Sequence, residues 1–147
     1  MSSRPTPRDP ASGSRLSHIA IATPNADALA KTLVKALGGQ PAGEELLDAG
    51  ALRVVFVRVG TVMFELLEPR SPEHTVARFI EKRGAGLHHV SLEVPDVQRA
   101  LDVARAAGAE AIDSAPRPGA HGSKVAFLHP KSFGGVLFEV SEPGEEA

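Results

Sequence analysis

The feature of this 147-residue sequence that most restricts its fold is an internal duplication. Three blocks recur in the same order, at offsets of 71, 71 and 74 residues: 18–25 with 89–96, 53–57 with 124–128, and 62–69 with 136–143. Three extra residues in the turn at 129–135 account for the longer last offset. Because chance does not repeat separated blocks in one order, the chain consists of two copies of one module.

Each copy predicts the same run of elements. A short apolar strand ends at a proline, and Asn25 or Asp96 then stands where a helix N-cap belongs. Apolar residues follow at helical spacing up to a glycine, Gly38 or Gly108. Strand-like runs come next, at 52–59 and 62–67 in the first copy and at 124–128 and 136–140 in the second. Short apolar runs near 45–47 and 111–112 are candidates for the remaining strand of each copy.

These elements predict an α+β protein of two tandem βαβββ modules. A curled, mixed sheet with a single helix leaves one face exposed, and pairing two such sheets covers that face. The predicted organisation is a tail at 1–15, one domain at 16–143 with modules at about 16–69 and 87–143 and a linker helix at about 74–84, and a tail at 144–147.

Composition excludes several classes of function. The formal net charge of −2 and the aromatic content of 4%, without Trp or Tyr, give no footprint for nucleic acid. The absence of Cys excludes disulfides, thiolate ligands and a cysteine nucleophile. No apolar run reaches the length of a membrane span, and the polar N-terminal stretch lacks a signal-peptide core. We therefore expect a cytoplasmic protein that binds neither nucleic acid nor membrane.

Two histidines and two glutamates occupy equivalent positions in the copies: His18 with His89, and Glu65 with Glu139. A carboxylate with apolar neighbours on a strand is costly to bury unless it is paired or coordinates a cation. Sequence drift has no reason to retain the same polar residue at the same strand position twice. The four residues therefore predict a metal site around which the sheets curl. Zn²⁺, Co²⁺, Ni²⁺, Mn²⁺ or Mg²⁺ suits such ligands and leaves positions for substrate oxygens.

The remaining histidines gain nothing from the duplication. Alternation along the strand predicts that His88 points away from His89. His74 lies in the linker and His129 in a turn. His121 lies in a glycine-flanked loop that could close over a ligand, which makes it a candidate substrate contact.

Five stretches match the pattern of one enzyme family: HIAIA at 18–22, ELLEP at 65–69, GLHHV at 86–90, PGAHGSKVAFLHPKS at 118–132 and GGVLFE at 134–139. From residue 16 to residue 143 the sequence thereby resembles the methylmalonyl-CoA epimerases, members of the glyoxalase and extradiol dioxygenase (vicinal oxygen chelate) superfamily. The block from 118 to 139 is the specific part, since the shorter strands occur across the superfamily.

The resemblance implies a divalent metal held by His18, His89 and Glu139. Glu65 would be a further ligand, at a position where some members have Gln. A homodimer, an acyl-CoA substrate, and a role in propionate metabolism and branched-chain amino acid degradation are also implied.

The activity implied is that of an isomerase, which interconverts (2R)- and (2S)-methylmalonyl-CoA through a metal-stabilised enolate. Epimerisation needs proton carriers on both faces of a planar intermediate. Glu139 and Glu65, which the duplication relates, are the predicted pair of catalytic residues. Lys124 and Lys131 are candidates for contacts to the CoA phosphates.

One departure from the family pattern affects the second proton carrier. Some members carry an additional acid on the strand after the first helix, where this chain has Arg53 and Val54. Other functions of the same fold also remain open. A glyoxalase I-type lyase would use the same four residues, and an extradiol dioxygenase would use two His and one Glu with ferrous iron. A non-catalytic small-molecule binding protein typically lacks the ligands that this sequence has.

Overall fold

The computed structural model describes residues 14–144, which contain three α-helices and eight β-strands. The strands are β1 (Arg15–Ala22), β2 (Gln40–Leu47), β3 (Leu52–Val59), β4 (Val62–Pro69), β5 (Gly86–Glu93), β6 (Arg117–Pro118), β7 (Lys124–Leu128) and β8 (Phe138–Glu142). The helices are α1 (Ala26–Leu37), α2 (Thr75–Arg83) and α3 (Val97–Ala106). Of the predicted tails at 1–15 and 144–147, residues 1–13 and 145–147 lie outside the described part of the chain, and Arg15 already belongs to β1. None of the described helices is long and apolar enough to cross a membrane.

The chain divides into two compact units. The central unit is Ser17–Val90, and the described part of the C-terminal unit comprises residues 14–16 and 91–144. The boundary falls inside β5, so that His89 belongs to the central unit and Ser91 to the C-terminal one. The two units correspond approximately to the two sequence copies.

The central unit has the strand order β2-β3-β4-β1-β5. β1 and β4 are parallel, whereas β2 with β3 and β3 with β4 are antiparallel, so the sheet is mixed as predicted. Helix α1 buries its apolar face on this sheet in a core that contains the following residues: Ala26, Leu33, Val55, Val57 and Leu66. Alternate residues of β3 and β4 point to this core, and the opposite face carries Glu65 among the buried side chains of Val54, Phe56 and Leu67.

The C-terminal unit repeats this arrangement with the order β5-β8-β7-β6. Each strand takes the place of its counterpart, since β8 lies beside β5 as β4 lies beside β1. Helix α3 covers a core that contains the following residues: Val94, Val97, Ala100, Leu101, Ala126, Leu128 and Val140. The prediction of two βαβββ copies in an α+β fold is confirmed.

The two copies also begin their helices in the same way. The side chains of Asn25 and Asp96 accept hydrogen bonds from backbone N–H groups three residues later, which confirms both predicted N-caps. A carboxylate from the last strand of each copy adds a second acceptor. Glu68 Oε2 accepts from the N–H of Ala26 at 2.8 Å, and Glu142 Oε1 accepts from the N–H of Val97 at 2.9 Å. Negative charge at a helix N-terminus is favourable, so both copies have retained a stabilising carboxylate at this position.

The fourth strand of the second copy differs from the prediction. The expected run at 111–112 contributes only an isolated bridge between Ala111 and Leu128. The strand that pairs with β7 is instead β6, two residues long, in which Arg117 pairs with Val125 and Pro118 pairs with Lys124. Proline has no N–H to donate to a ladder, so Pro118 restricts β6 to a short edge strand.

Candidate active site

In the central unit, His18 on β1 and His89 on β5 are buried, with 7% and 4% of their surfaces exposed. Their Nε2 atoms lie 3.2 Å apart. Ala20 and Ala22, which share the strand face of His18, are fully buried and leave room for the imidazole ring. Two Nε2 atoms that converge in this way can share one proton or can both present lone pairs to a cation.

Glu65 on β4 holds the other side of His18. Its Oε2 atom lies 3.0 Å from His18 Nδ1, and the hydroxyl of Ser17 also lies 3.0 Å from that nitrogen. A carboxylate accepts a hydrogen bond, so this contact favours the tautomer of His18 that has its proton on Nδ1 and a lone pair on Nε2. The arrangement of imidazole and carboxylate is the one that orients histidine ligands in metal sites.

Burial keeps both imidazoles neutral. It lowers the pKa of His18 from 6.5 to about 4. Burial also lowers the pKa of His89 well below its ordinary value, and the neighbouring His18 and His88 add to this effect. Because a metal ion binds only the neutral imidazole, the environment selects the protonation state that coordination requires.

His88 is a residue that the sequence interpretation set aside. Its Nδ1 atom lies 2.8 Å from His89 Nδ1, so the two neighbouring rings are in contact although alternation along β5 directs them to opposite faces. The His88 ring also packs against Phe79, with ring centroids 4.8 Å apart, and burial lowers its pKa to about 4. Strand alternation describes backbone directions, whereas adjacent imidazoles are long enough for their ring nitrogens to meet.

The C-terminal unit contributes Glu139 on β8, which is 5% exposed. Ser91 Oγ donates a hydrogen bond to Glu139 Oε1 at 2.6 Å. Burial raises the pKa of Glu139 to about 7, although the hydrogen bond from Ser91 and the positive charge of Arg117 act in the opposite direction. A carboxyl group that titrates near neutral pH can both accept and return a proton, as a general acid–base catalyst must.

Arg117 is a second residue that sequence reasoning missed. Its guanidinium lies 5.0 Å from the centroid of the Phe127 ring, and Phe127 is paired with Glu139 across β7 and β8. An ion pair with Asp113 at 3.4 Å holds it there. The positive charge of Arg117 lowers the pKa of Glu139, and the negative charge of Asp113 raises it.

The predicted substrate contacts are all on the surface of the C-terminal unit. His121 has a positive φ of 55° in the short turn Ala120–Gly122, and Lys124 begins β7 with an exposed side chain. Lys131 Nζ lies 2.5 Å from Glu110 Oε1. A bound phosphate would compete with that carboxylate. All three residues stay predictions as substrate contacts.

The position of the additional family acid is occupied by a cation with several partners. Arg53 forms ion pairs with Asp27 and Glu44, each at 2.9 Å, and with Glu68 at 3.4 Å. Hydrogen bonds to Glu44 and Asp27 raise the pKa of the guanidinium above its ordinary value. Val54 beside it is buried in the core. Arg53 therefore remains protonated and cannot act as a base, so any second proton carrier lies elsewhere.

Comparison with known proteins agrees with this geometry. Residues 17–127 match the profile of the Glyoxalase/Bleomycin resistance protein/Dioxygenase superfamily. The chain belongs to this superfamily. An ethylmalonyl-CoA/methylmalonyl-CoA epimerase of Cereibacter sphaeroides is 38% identical over 130 residues, which cover 87% of this chain and 97% of that superfamily member. The mitochondrial methylmalonyl-CoA epimerase of Homo sapiens is 35% identical over 96% of this chain and 84% of its own length.

A solved superfamily structure is similar over the same region. A variant of the Streptomyces coelicolor methylmalonyl-CoA epimerase, in complex with 2-nitronate-propionyl-CoA, aligns with a TM-score of 0.82 and 28% identity. The alignment covers 89% of this chain and 98% of that one. The family resemblance inferred from the sequence motifs is thereby confirmed.

Proposed function

We propose that this protein is an isomerase that interconverts (2R)- and (2S)-methylmalonyl-CoA. The observation that carries the proposal is the environment of Glu139, a buried carboxyl group that accepts a hydrogen bond from Ser91 and whose pKa burial raises to about 7 in the metal-free protein. Relatives named for this activity match the chain over most of its length. They favour an epimerase over a glyoxalase I-type lyase or a non-catalytic binding protein of the same fold.

We propose further that His18, His89 and Glu139 hold a divalent cation, with Glu65 as a further ligand or as the orienting partner of His18. The three are buried residues of metal-ligand type. The donor set fits, because both imidazoles are neutral and the Nδ1 side of His18 is already occupied by Glu65. His89 and Ser91 point to the same face of β5, and Ser91 binds Glu139. A cation bound there would supply positive charge where the thioester oxygen becomes negative.

Glu139 and Glu65 are the proposed carriers of the proton. The hydrogen to be moved is acidic because it lies between a thioester and a carboxylate. Glu139 accepts it on one face of the substrate, and a second carrier returns a proton on the opposite face. Glu65 is the proposed second carrier. The carboxylate of Glu65 lies 3.0 Å from His18 Nδ1, so a hydrogen bond to this imidazole holds it in the site.

The experiment that tests the function is proton NMR of the protein with methylmalonyl-CoA in D₂O. We expect the α-proton signal to disappear and deuterium to enter at that carbon, with both isomers formed from either one. Exchange that is no faster than in buffer alone, with metal supplied, would show that the protein has another function.

Removal of divalent metal should abolish activity and lower thermal stability. A ligand that binds only the native state stabilises it by mass action, about 2.7 kcal/mol at a hundredfold excess over Kd. We expect a chelator to lower Tm and Co²⁺ or Zn²⁺ to restore both Tm and exchange. His18→Ala and His89→Ala should lose this response, whereas Lys131→Ala is a control in which the response of Tm should be kept. A purified protein that retains no ion and does not respond to added metal would refute the site.

Substrate selection should depend on the second carboxylate. Propionyl-CoA has the same thioester and the same CoA but lacks the group that acidifies the α-proton and provides a second oxygen for the cation. We expect α-proton exchange from propionyl-CoA to be slower by at least about 10²-fold, as is usual when a site's polar groups lose their partner. Comparable rates for the two thioesters would contradict this mode of binding. The homodimer, the cytoplasmic location and the role in propionate metabolism stay predictions.

A further inference from the structure

The two sequence copies surround their equivalent glutamates differently. In the first copy, the positions beside Glu65 are occupied by Ala20 and Leu67, which are buried and apolar. At the corresponding offsets of 71 and 74 residues, the second copy has Ser91 and Ser141. These serines are 0% and 6% exposed, so the second copy has two buried polar residues where the first has none.

The two serines form a short hydrogen-bonded chain that ends on Glu139. Ser91 Oγ lies 2.6 Å from Glu139 Oε1 and 3.3 Å from Ser141 Oγ. A hydroxyl has one proton to donate, and the shorter bond to a carboxyl oxygen takes that of Ser91. The hydroxyl of Ser141 can then donate to Ser91 Oγ. Both bonds lie within the C-terminal unit and restrict one oxygen of Glu139.

Burial without another role would favour apolar residues at these positions. A buried hydroxyl costs free energy unless it is hydrogen-bonded, and Ala20 shows that this strand position accommodates a methyl group in the first copy. The partner of the fully buried Ser91 is the carboxyl group on which the proposed chemistry depends. The serine pair therefore distinguishes Glu139 from Glu65, which is hydrogen-bonded to an imidazole instead.

We propose, on the basis of the proposed function, that Ser91 and Ser141 are positioning residues for Glu139. They hold Oε1 and thereby fix the orientation of the carboxyl group, and they make the two glutamates functionally unequal. Glu139 then serves one stereoisomer as the proton acceptor, and the other carrier serves the second stereoisomer. Each substrate isomer consequently depends on the serines to a different extent.

The test compares α-proton wash-out from each purified stereoisomer in D₂O, in the metal-loaded protein. In Ser91→Ala, wash-out from one isomer should fall by about 10–100-fold, the usual effect of removing an orienting partner, while wash-out from the other changes little. Ser91→Cys retains the volume of the side chain but is a poor donor, so it should behave like Ser91→Ala. Ser141→Ala should affect the same isomer, but less, because it acts through Ser91.

Thr23→Val provides the control for loss of a buried hydroxyl. Thr23 is 8% exposed, and its hydroxyl accepts from the backbone N–H of Asn25 at 3.1 Å, so the hydroxyl has a structural role. This variant should lower Tm and leave the ratio of the two wash-out rates unchanged. Equal slowing of both isomers in the serine variants would overturn the proposal, and so would a wild-type ratio in Ser91→Cys. Wild-type protein that exchanges neither isomer would instead refute the proposed function itself.

Discussion

Replacing Glu139 by Gln is expected to lower kcat by about 10²–10⁴-fold, the usual contribution of a positioned general base. Gln retains the shape of the side chain and an oxygen that can ligate a metal, but it cannot accept a proton. Glu139 is the buried carboxyl group whose pKa burial raises to about 7 in the metal-free protein, and its loss removes the proposed proton acceptor. The protein should still fold, because the Gln oxygen can accept the hydrogen bond from Ser91.

Glu65→Gln is the matched variant, and it should retain wash-out from the isomer that Glu139 serves but lose the return of a proton on the opposite face. A Gln oxygen can still accept a hydrogen bond from His18 Nδ1, so the orientation of the imidazole is retained. The measurement is kcat for epimerisation together with wash-out from each isomer and metal content by elemental analysis. A protein with one of two bases removed can still wash out the proton of one isomer without inverting it. If Glu139→Gln converts both isomers at near wild-type rates with its metal intact, the base has been assigned to the wrong residue.

The fold could be predicted from the sequence because the duplication provides two sequences for the same order of helices and strands. Helix α1 and helix α3 begin at the predicted caps, Asn25 and Asp96, and the runs at 52–59 and 124–128 are strands β3 and β7. The failure at 111–112 has a physical reason. An apolar pair of residues indicates burial but does not identify the strand with which its backbone pairs, and Pro118 limits the edge strand that does form to two residues.

Site residues that recur in both copies could be predicted from the sequence, whereas site residues present in one copy only could not. His18, His89, Glu65 and Glu139 were found because the copies repeat them. Ser91 has no polar counterpart in the first copy, so a comparison of the copies passes over it. Contacts that depend on the length and rotation of side chains could not be predicted either. The meeting of His88 with His89 is decided by ring positions that no periodicity encodes.

Acidification of the metal-free protein should cause a large loss of stability between pH 6.5 and about 4. The groups responsible are the histidine cluster, defined as His18, His88 and His89. Burial lowers the pKa of His18 and of His88 to about 4 and that of His89 well below 6.5. In this window the unfolded chain binds protons that the folded protein excludes, so stability falls as the pH falls. For His18 alone the loss amounts to about 3 kcal/mol.

Glu139 changes the pH dependence of stability in the opposite direction to the histidines. Burial raises its pKa from 4.5 to about 7, so between these values the folded protein binds a proton that the unfolded chain does not. Protonation of this group therefore stabilises the fold as the pH falls, and it offsets the contribution of about one histidine. With three histidines against one glutamate, a net loss of a few kcal/mol remains, which is a large share of the ~5–15 kcal/mol of a typical domain.

Urea unfolding of chelator-treated protein from pH 7.5 to pH 4.5 measures this loss directly. We expect the denaturation midpoint to fall steadily below pH 6.5. His88→Phe, which keeps the ring contact with Phe79 but cannot titrate, should reduce the slope by about one proton. Saturating Zn²⁺ should shift the onset of the loss to lower pH, because protons must then compete with the cation for the imidazoles. A midpoint that is independent of pH in the metal-free protein would mean that the histidine cluster is hydrated in solution. The neutral imidazoles on which the metal site depends would then have to be induced by the metal itself.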